Sequence, residues 1–165
     1  MVSSPGPHQC ADGATPSEES PTDADWYANL LWLDRRKCLL LVQAETLFSV
    51  FRADVRTAEL RPFGAYVVRS VEDELREEVL PIDTFGPLQE EPVQVGKTAS
   101  RRVLGFMNDM AVHIRYRTAV MGGLDRADPR ILNRELRRTL QNRDGYIDAM
   151  GSIAKRLEAW RSDSP

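Results

Sequence analysis

The residues of this chain whose types and spacing could do chemistry lie in a few short stretches. Val95-Gly96-Lys97-Thr98 stands just ahead of a predicted helix, as the end of a phosphate-binding P-loop does, where backbone N–H groups cradle phosphate and the lysine reaches it. A complete loop needs a glycine five positions before Gly96. That position is Glu91, which repels phosphate, and Pro92, Val93 and Val95 cannot build a glycine-rich cradle. A nucleotide site is therefore disfavoured. What remains is a group of cations, Lys97, Arg101 and Arg102, around Ser100 at a helix start. Exposed cations there oppose the helix dipole at about 0.3–1 kcal/mol each, and a bound anion would relieve that opposition and take up free backbone N–H groups. Arg35, Arg36 and Lys37 form a second basic patch, and an anion site requires the two to converge. The plainer alternative is a solvated surface, or pairing with the acids at 72–78, because exposed ion pairs carry little energy.

Asp109, His113 and Arg117 recur every four residues on one helical face, with Tyr116 nearby. An acid and a histidine so placed suit proton transfer or an ordinary salt-bridge ladder. No serine or cysteine nucleophile is fixed beside them by sequence. The other of the two histidines, His8, sits in the N-terminal tail, and neither Arg101 nor Arg102 stands at the four-to-six-residue spacing from His113 that RNA cleavage of that type uses. Asn108 adjoins the apolar stripe of the same helix, where a partly buried amide must find partners; it suits a tie to a sheet edge or loop, or a ligand contact. Gly105 in that helix costs about 1 kcal/mol relative to alanine, which close backbone packing would explain. Cys10 lies in a Pro/Ser/Gly tail and Cys38 in an apolar run; two thiols alone make no zinc site, and Cys38 reads as a small buried hydrophobe. No metal and no cofactor is expected.

The elements that must position these groups follow from patterning. Residues 1–24 are rich in Pro, Ser, Gly, Asp and Glu and are expected to be a disordered tail ahead of one domain over 25–162. Trp26–Leu33 and Cys38–Gln43 flank a polar turn, and Leu47–Phe51 alternates Leu47, Ser49 and Phe51 against Phe48 and Val50; together they predict a three-strand antiparallel meander. Val93 and Val95 suggest a fourth short strand. Phe63, Val67, Val71, Leu75 and Val79 recur every four residues opposite Glu72, Asp73, Glu74, Arg76, Glu77 and Glu78, the pattern of an amphipathic helix ended by Pro81. The longest helix is expected over 101–120, with Ser100 as its cap, a stripe of Val103, Met107, Met110 and Ile114 flanked by Leu104 and Ala111, and Gly122-Gly123 as its stop. Asp128-Pro129 starts another, with Leu132, Leu136 and Leu140 as its apolar row. Asn142–Gly145 reads as a turn, and a last helix over 150–161 is expected to point Ile153, Leu157 and Trp160 inward. The fold class is thus α+β.

Charge is uneven. Residues 54–91 hold ten acids against four arginines, and residues 100–145 hold ten arginines against five acids, within a chain of net charge −3. A local basic surface is compatible with this, but not a generally basic nucleic-acid-binding domain. No apolar run approaches the roughly 20 residues that span a bilayer, and the N-terminus lacks the pattern of a signal peptide, so a cytosolic location and no membrane partner are expected.

Asp25-Trp26-Tyr27-Ala28-Asn29-Leu30, then Asp34-Arg35-Arg36-Lys37, then Lys97-Thr98 with Ser100-Arg101, then Val103-Leu104-Gly105-Phe106-Met107-Asn108-Asp109 together resemble an uncharacterised bacterial family classed as a domain of unknown function. The resemblance covers about 25–146, including Leu132-Asn133 and the stretch from Arg138 to Tyr146. Members favour a small residue where this chain has Phe106, a departure that bears on local packing. The resemblance implies no activity. It implies that the Trp-Asn, basic-turn and Met-Asn-Asp segments form one constellation and that the tail lies outside it. The expected function is a non-catalytic binding module using Arg35, Arg36, Lys97, Ser100, Arg101, Arg102, Asn108, Asp109 and His113 toward a protein partner or an anionic ligand. The alternative is a phosphate- or nucleic-acid-binding protein, one component of a toxin–antitoxin or phage-defence pair; catalysis ranks third.

Overall fold

The computed structural model describes residues 22–88, 100–142 and 146–163. The first two apolar runs pair as an antiparallel hairpin, β1 (Trp26–Leu33) and β2 (Arg36–Gln43), in register from Trp26 opposite Gln43 to Leu33 opposite Arg36. Only Asp34 and Arg35 connect them, both at positive φ (46° and 64°), the mirror-image turn whose twist matches that of the strands. β3 (Ser49–Arg52) pairs with the far side of β2, giving the order β1-β2-β3. The meander is the one the sequence predicts.

Among the described residues four helices cover the sheet: α1 (Phe63–Glu77), α2 (Arg101–Val120), α3 (Pro129–Arg137) and α4 (Ala149–Asp163). Successive strand side chains point to opposite faces, and here both faces are buried. Cys38, Leu40, Val42 and Phe51 meet Val103, Met107, Ile114, Leu132 and Leu136 on one side. Leu39, Leu41, Phe48 and Val50 meet Val71, Leu75 and Ile153 on the other. The result is a helix–sheet–helix arrangement of class α+β, and it explains why β2 is apolar without alternation. Capping is as the sequence implies: the Ser100 hydroxyl accepts from Val103 N–H at 3.3 Å, Asp128 accepts from Arg130 N–H at 2.8 Å with Pro129 opening α3, and α2 stops before Gly122 and Gly123, at φ 89° and 105°.

Several inward assignments change. α1 ends at Glu77, and Val79, at φ 57° and 90 % exposed, falls out of the four-residue row. Leu104 lies at the margin of the α2 stripe and is exposed, while Phe106 is buried in its place. Leu140 and Trp160 are exposed, each past the last turn that touches the sheet. Glu74, expected on the solvent face of α1, is 3 % exposed. Val93 and Val95 lie outside the described residues, as do residues 143–145 of the expected turn; on either side of that turn β4 (Gln141–Asn142) pairs antiparallel with β5 (Tyr146–Ile147). Of the expected tail only 22–24 are described; there Thr22 N–H donates to Asp25 Oδ2 at 2.7 Å, and buried Gln43 donates to Asp23 C=O at 2.6 Å. Among the described residues no helix is long and apolar enough to cross a membrane.

Candidate interaction surface

The two basic patches do not meet. The hairpin turn sits at the C-terminal end of α2, where Asp34 Oδ2 accepts from Leu124 N–H at 2.7 Å and Arg36 pairs with Asp125 at 2.7 Å. The start of α2 sits at the opposite end of β2, where Arg102 donates to the Ala44 carbonyl. Arg36 and Gln43 bound a strand of eight residues, so the patches stand roughly 23 Å apart along it, at ~3.3 Å per residue. They are also largely engaged. Arg36 lies 3.8 Å from Asp54 as well as against Asp125, whose carboxyl it holds below the usual range through a hydrogen bond and its charge. Lys37 donates to Thr57 Oγ1 at 3.0 Å and lies over the Trp32 ring. Ser100 is occupied in capping. Arg35 and Arg101 are exposed, and Lys97 lies outside the described residues.

His113 turns from Asp109 toward α3. Its Nε2 is 3.5 Å from Glu135 Oε2, within ion-pair range but without hydrogen-bond geometry, and it is buried. Glu135 is already held by Arg117, Nε at 2.7 Å and Nη2 at 2.5 Å, and the Arg117 hydrogen bond draws the Glu135 carboxyl below its usual range. Helix-to-helix bracing is what this trio does. Asn108 and Asp109 are exposed on α2's outer face, so Asn108 is not the buried tie its position suggested, and the Trp-Asn, basic-turn and Met-Asn-Asp segments do not form one constellation. Burial raises the pKa of the Cys38 thiol, and among the described residues no acid, histidine and cysteine cluster could hold a metal.

The tie belongs to Asn133, which sequence reasoning passed over. Asn133 and Arg137, four apart on α3, are buried and face the outer edge of β3. Asn133 bonds both polar groups of Phe51, and Arg137 Nη1 donates to Ser49 C=O at 3.2 Å and to Glu74 Oε2 at 2.8 Å. Arg137 Nη2 also reaches Glu78 Oε1, and Arg138 Nη2 reaches Glu78 Oε2, each at 2.8 Å. Glu74 of α1 and Glu78 just past its end are thus partnered by Arg137 of α3 and Arg138 just past it. The available signal was two polar residues each directly after a core leucine, Leu132-Asn133 and Leu136-Arg137.

A groove of about 300 Å3 lies over α1, lined by Arg52, Glu59, Tyr66, Arg69, Ser70 and Asp73. Its lining mixes both charges, and Arg52 is spent on Ser70 C=O and on Asp73 and Glu74. It selects no class of ligand.

The outer face of α2 is different. A helix on the surface of a globular domain ordinarily has one apolar stripe. Opposite its buried stripe α2 exposes Val112 and Tyr116, at 64 % and 66 %, flanked by exposed Val120 and, at the stripe's margin, Leu104, with exposed Asn108, Asp109 and Arg115 among them.

No curated protein and no solved structure matches the chain. A family model described as a domain of unknown function does match, over residues 9–151, reaching further toward the N-terminus than the motifs alone. The chain therefore belongs to the family of that domain of unknown function, DUF6933.

Proposed function

We propose that this chain is a non-catalytic protein-interaction module of the bacterial cytosol whose working surface is the outer face of α2. The exposed row of Leu104, Val112, Tyr116 and Val120 carries this reading: burying it against a partner removes apolar area from water at about 25 cal/mol per Å2. The engagement of His113 and Arg117 with Glu135, away from Asp109, supports bracing over proton transfer. The separation of Arg35 and Arg36 from Arg101 and Arg102 disfavours a shared anion site and so the phosphate- or nucleic-acid-binding alternative. A photo-crosslinking side chain at Val112 or Tyr116, in cells, is expected to yield a discrete adduct, with none from the exposed control position Lys155. Silence at Val112 and Tyr116 overturns the reading.

One further observation favours a second docking edge. The outer edge of β3 is closed by Asn133 and Arg137, whereas among the described residues no hydrogen bond reaches the outer edge of β1. β1 reads Trp-Tyr-Ala-Asn-Leu-Leu-Trp-Leu, with no charge and no proline to blunt it, and exposes Leu30 and Trp32. Such an edge suits addition of an extended segment of a partner. In a two-residue hairpin the N–H of Leu30 points outward, so Leu30→Pro removes no ladder bond. Adducts from a crosslinker at Trp32 that vanish in Leu30→Pro support strand addition; adducts that persist count against it.

A further inference from the structure

We propose that the extended segment taken up by the outer edge of β1 is β1 of a second copy, paired antiparallel about a two-fold axis at Asn29, so that the sheets of two copies become one. This rests on reading that edge as open to strand addition and goes on to name its occupant. Three observations converge on it.

The first is that each copy has one open edge. Asn133 and Arg137 close the outer edge of β3, whereas among the described residues nothing pairs with the outer edge of β1. Leu33 and Arg36 flank a two-residue turn, so the polar groups of Leu33, Leu31, Asn29 and Tyr27 face β2, and those of Trp26, Ala28, Leu30 and Trp32 face outward. The same parity shows on the far side of β2, where Gln43 N–H donates to Phe48 C=O at 3.0 Å. A bare edge invites unlimited association. Pairing with its own copy consumes it, and with β3 already closed the assembly stops at two, as an isologous interface does.

The second is the fit along that edge. Tyr27, Leu31 and Leu33 are buried in the core that α2 covers, but Ala28, Leu30 and Trp32, on the opposite face of the strand, are exposed. With Asn29 on the axis, Ala28 stands opposite Leu30 of the other copy, small beside large, and Trp32 stands opposite Trp26. β1 carries no charge to set against its like. The helices admit the neighbour as well. α2 packs over β1 and β2 alike, about half a strand spacing inside β1. At ~4.8 Å between strands the two α2 axes then come roughly 10 Å apart, a distance at which helices pack.

The third is Asn29. Asparagine is depleted from strands, and here it interrupts an otherwise apolar one. It is half-buried on the α2 side, and among the described residues its side-chain amide makes no hydrogen bond. The fold of one copy gives no use for it. On the two-fold axis Asn29 faces itself in a pair without ladder bonds, with Cα atoms about 4.5 Å apart, where each amide can donate to the carbonyl oxygen of the other. One polar residue that finds its mate in a single alignment sets register, as a buried asparagine does between paired helices. Sliding the strands by two residues either way would set Asn29 against Tyr27 or Leu31 and leave its amide without a mate.

The test is sedimentation velocity and light scattering on the full chain across a wide concentration range, where a dimer is expected. Leu30→Pro removes the N–H that donates to Ala28 C=O of the other copy, twice per dimer, and no bond within the chain. It should weaken association at least about 100-fold. Leu30→Lys, a side-chain change at the same exposed position, should weaken it at least about tenfold. Melting temperatures of the isolated variants confirm folding. Register is read by crosslinking in a Cys10→Ser background. Asn29→Cys sets two thiols opposite one another, within the Cα range of about 4.4–6.8 Å that a disulfide spans, and should join the copies on mild oxidation. Trp32→Cys should not, since its two thiols lie roughly 20 Å apart along the strands. A chain that stays monomeric, a dimer indifferent to both Leu30 variants, or a dimer without the Asn29→Cys crosslink overturns the proposal. A monomer whose Trp32 photo-crosslinker captures another protein, and loses it in Leu30→Pro, removes the second copy and leaves the open edge standing; a monomer with no such adduct removes both.

Discussion

Asn133 lies against Phe51 as a neighbouring strand would: its Oδ1 accepts from Phe51 N–H at 2.6 Å and its Nδ2 donates to Phe51 C=O at 3.0 Å. One side-chain amide thus closes the exposed edge of β3, and the same Nδ2 reaches Glu74 Oε1 at 3.0 Å.

Asn133→Ala strands the polar groups of Phe51 in a site without water access. The cost should be about 1–3 kcal/mol, read as a lower urea midpoint. Asn108→Ala, on the exposed face of α2, should stay within about 0.5 kcal/mol of the parent. The reverse ranking would return the structural tie to α2.

Arg137 is 2 % exposed and bridges Glu74 and Glu78. Arg137→Met leaves these buried carboxylates short of their central partner and should destabilise by about 3–5 kcal/mol. Arg138→Ala removes a half-exposed contact to the same Glu78 and should cost under about 1 kcal/mol. Equal losses in chemical denaturation would mean that the network is solvated.

The Arg138 hydrogen bond, opposed by burial and aided by the charge of Arg137, holds Glu78 below the ordinary carboxyl value of 4.5. A depressed folded pKa contributes stability that is fully present above the unfolded value and is lost as pH falls through the folded one. Glu78→Gln should therefore be less stable than the parent near neutrality, and the gap should close as pH falls below the ordinary carboxyl range and through the depressed folded value. A gap that is constant with pH would show that packing, not charge, sets the effect.

Arg35 holds a left-handed conformation at φ 64° with an exposed side chain, where a Cβ is unfavourable by about 1–2 kcal/mol. Arg35→Gly should raise the melting temperature, by a net ~0.5–1 kcal/mol after the added freedom of the unfolded chain is counted. Asp34→Gly relieves a similar strain but removes the acceptor for Leu124 N–H, so it should be neutral or destabilising. A gain from both would show that the Asp34 contact contributes nothing.

What the sequence determined is what neighbours along the chain decide. The alternation of Leu47–Phe51, the cap at Ser100, the proline at 129 and the glycines at 122 and 123 act within a turn or two, so the meander, the three main helices, the starts of α2 and α3 and the stop of α2 were legible, whereas α1 and α3 end before Val79 and Leu140. Which residues of a helix meet solvent was legible only where the element continues to touch the sheet; Val79 and Leu140 kept the period of their rows and are nonetheless exposed. What tertiary structure alone decided is the pairing of groups far apart in the chain. Glu74 read as an exposed acid and Arg137, 63 positions away, carried no local signal of burial; only the docking of α3 beside β3 makes each a reason to bury the other. The distance between Arg36 and Arg102 was hidden for the same cause. Both belong to patches that look alike in composition, but a strand of eight residues and a helix of twenty set them at opposite ends of the sheet, because rigid elements fix separation where composition carries none.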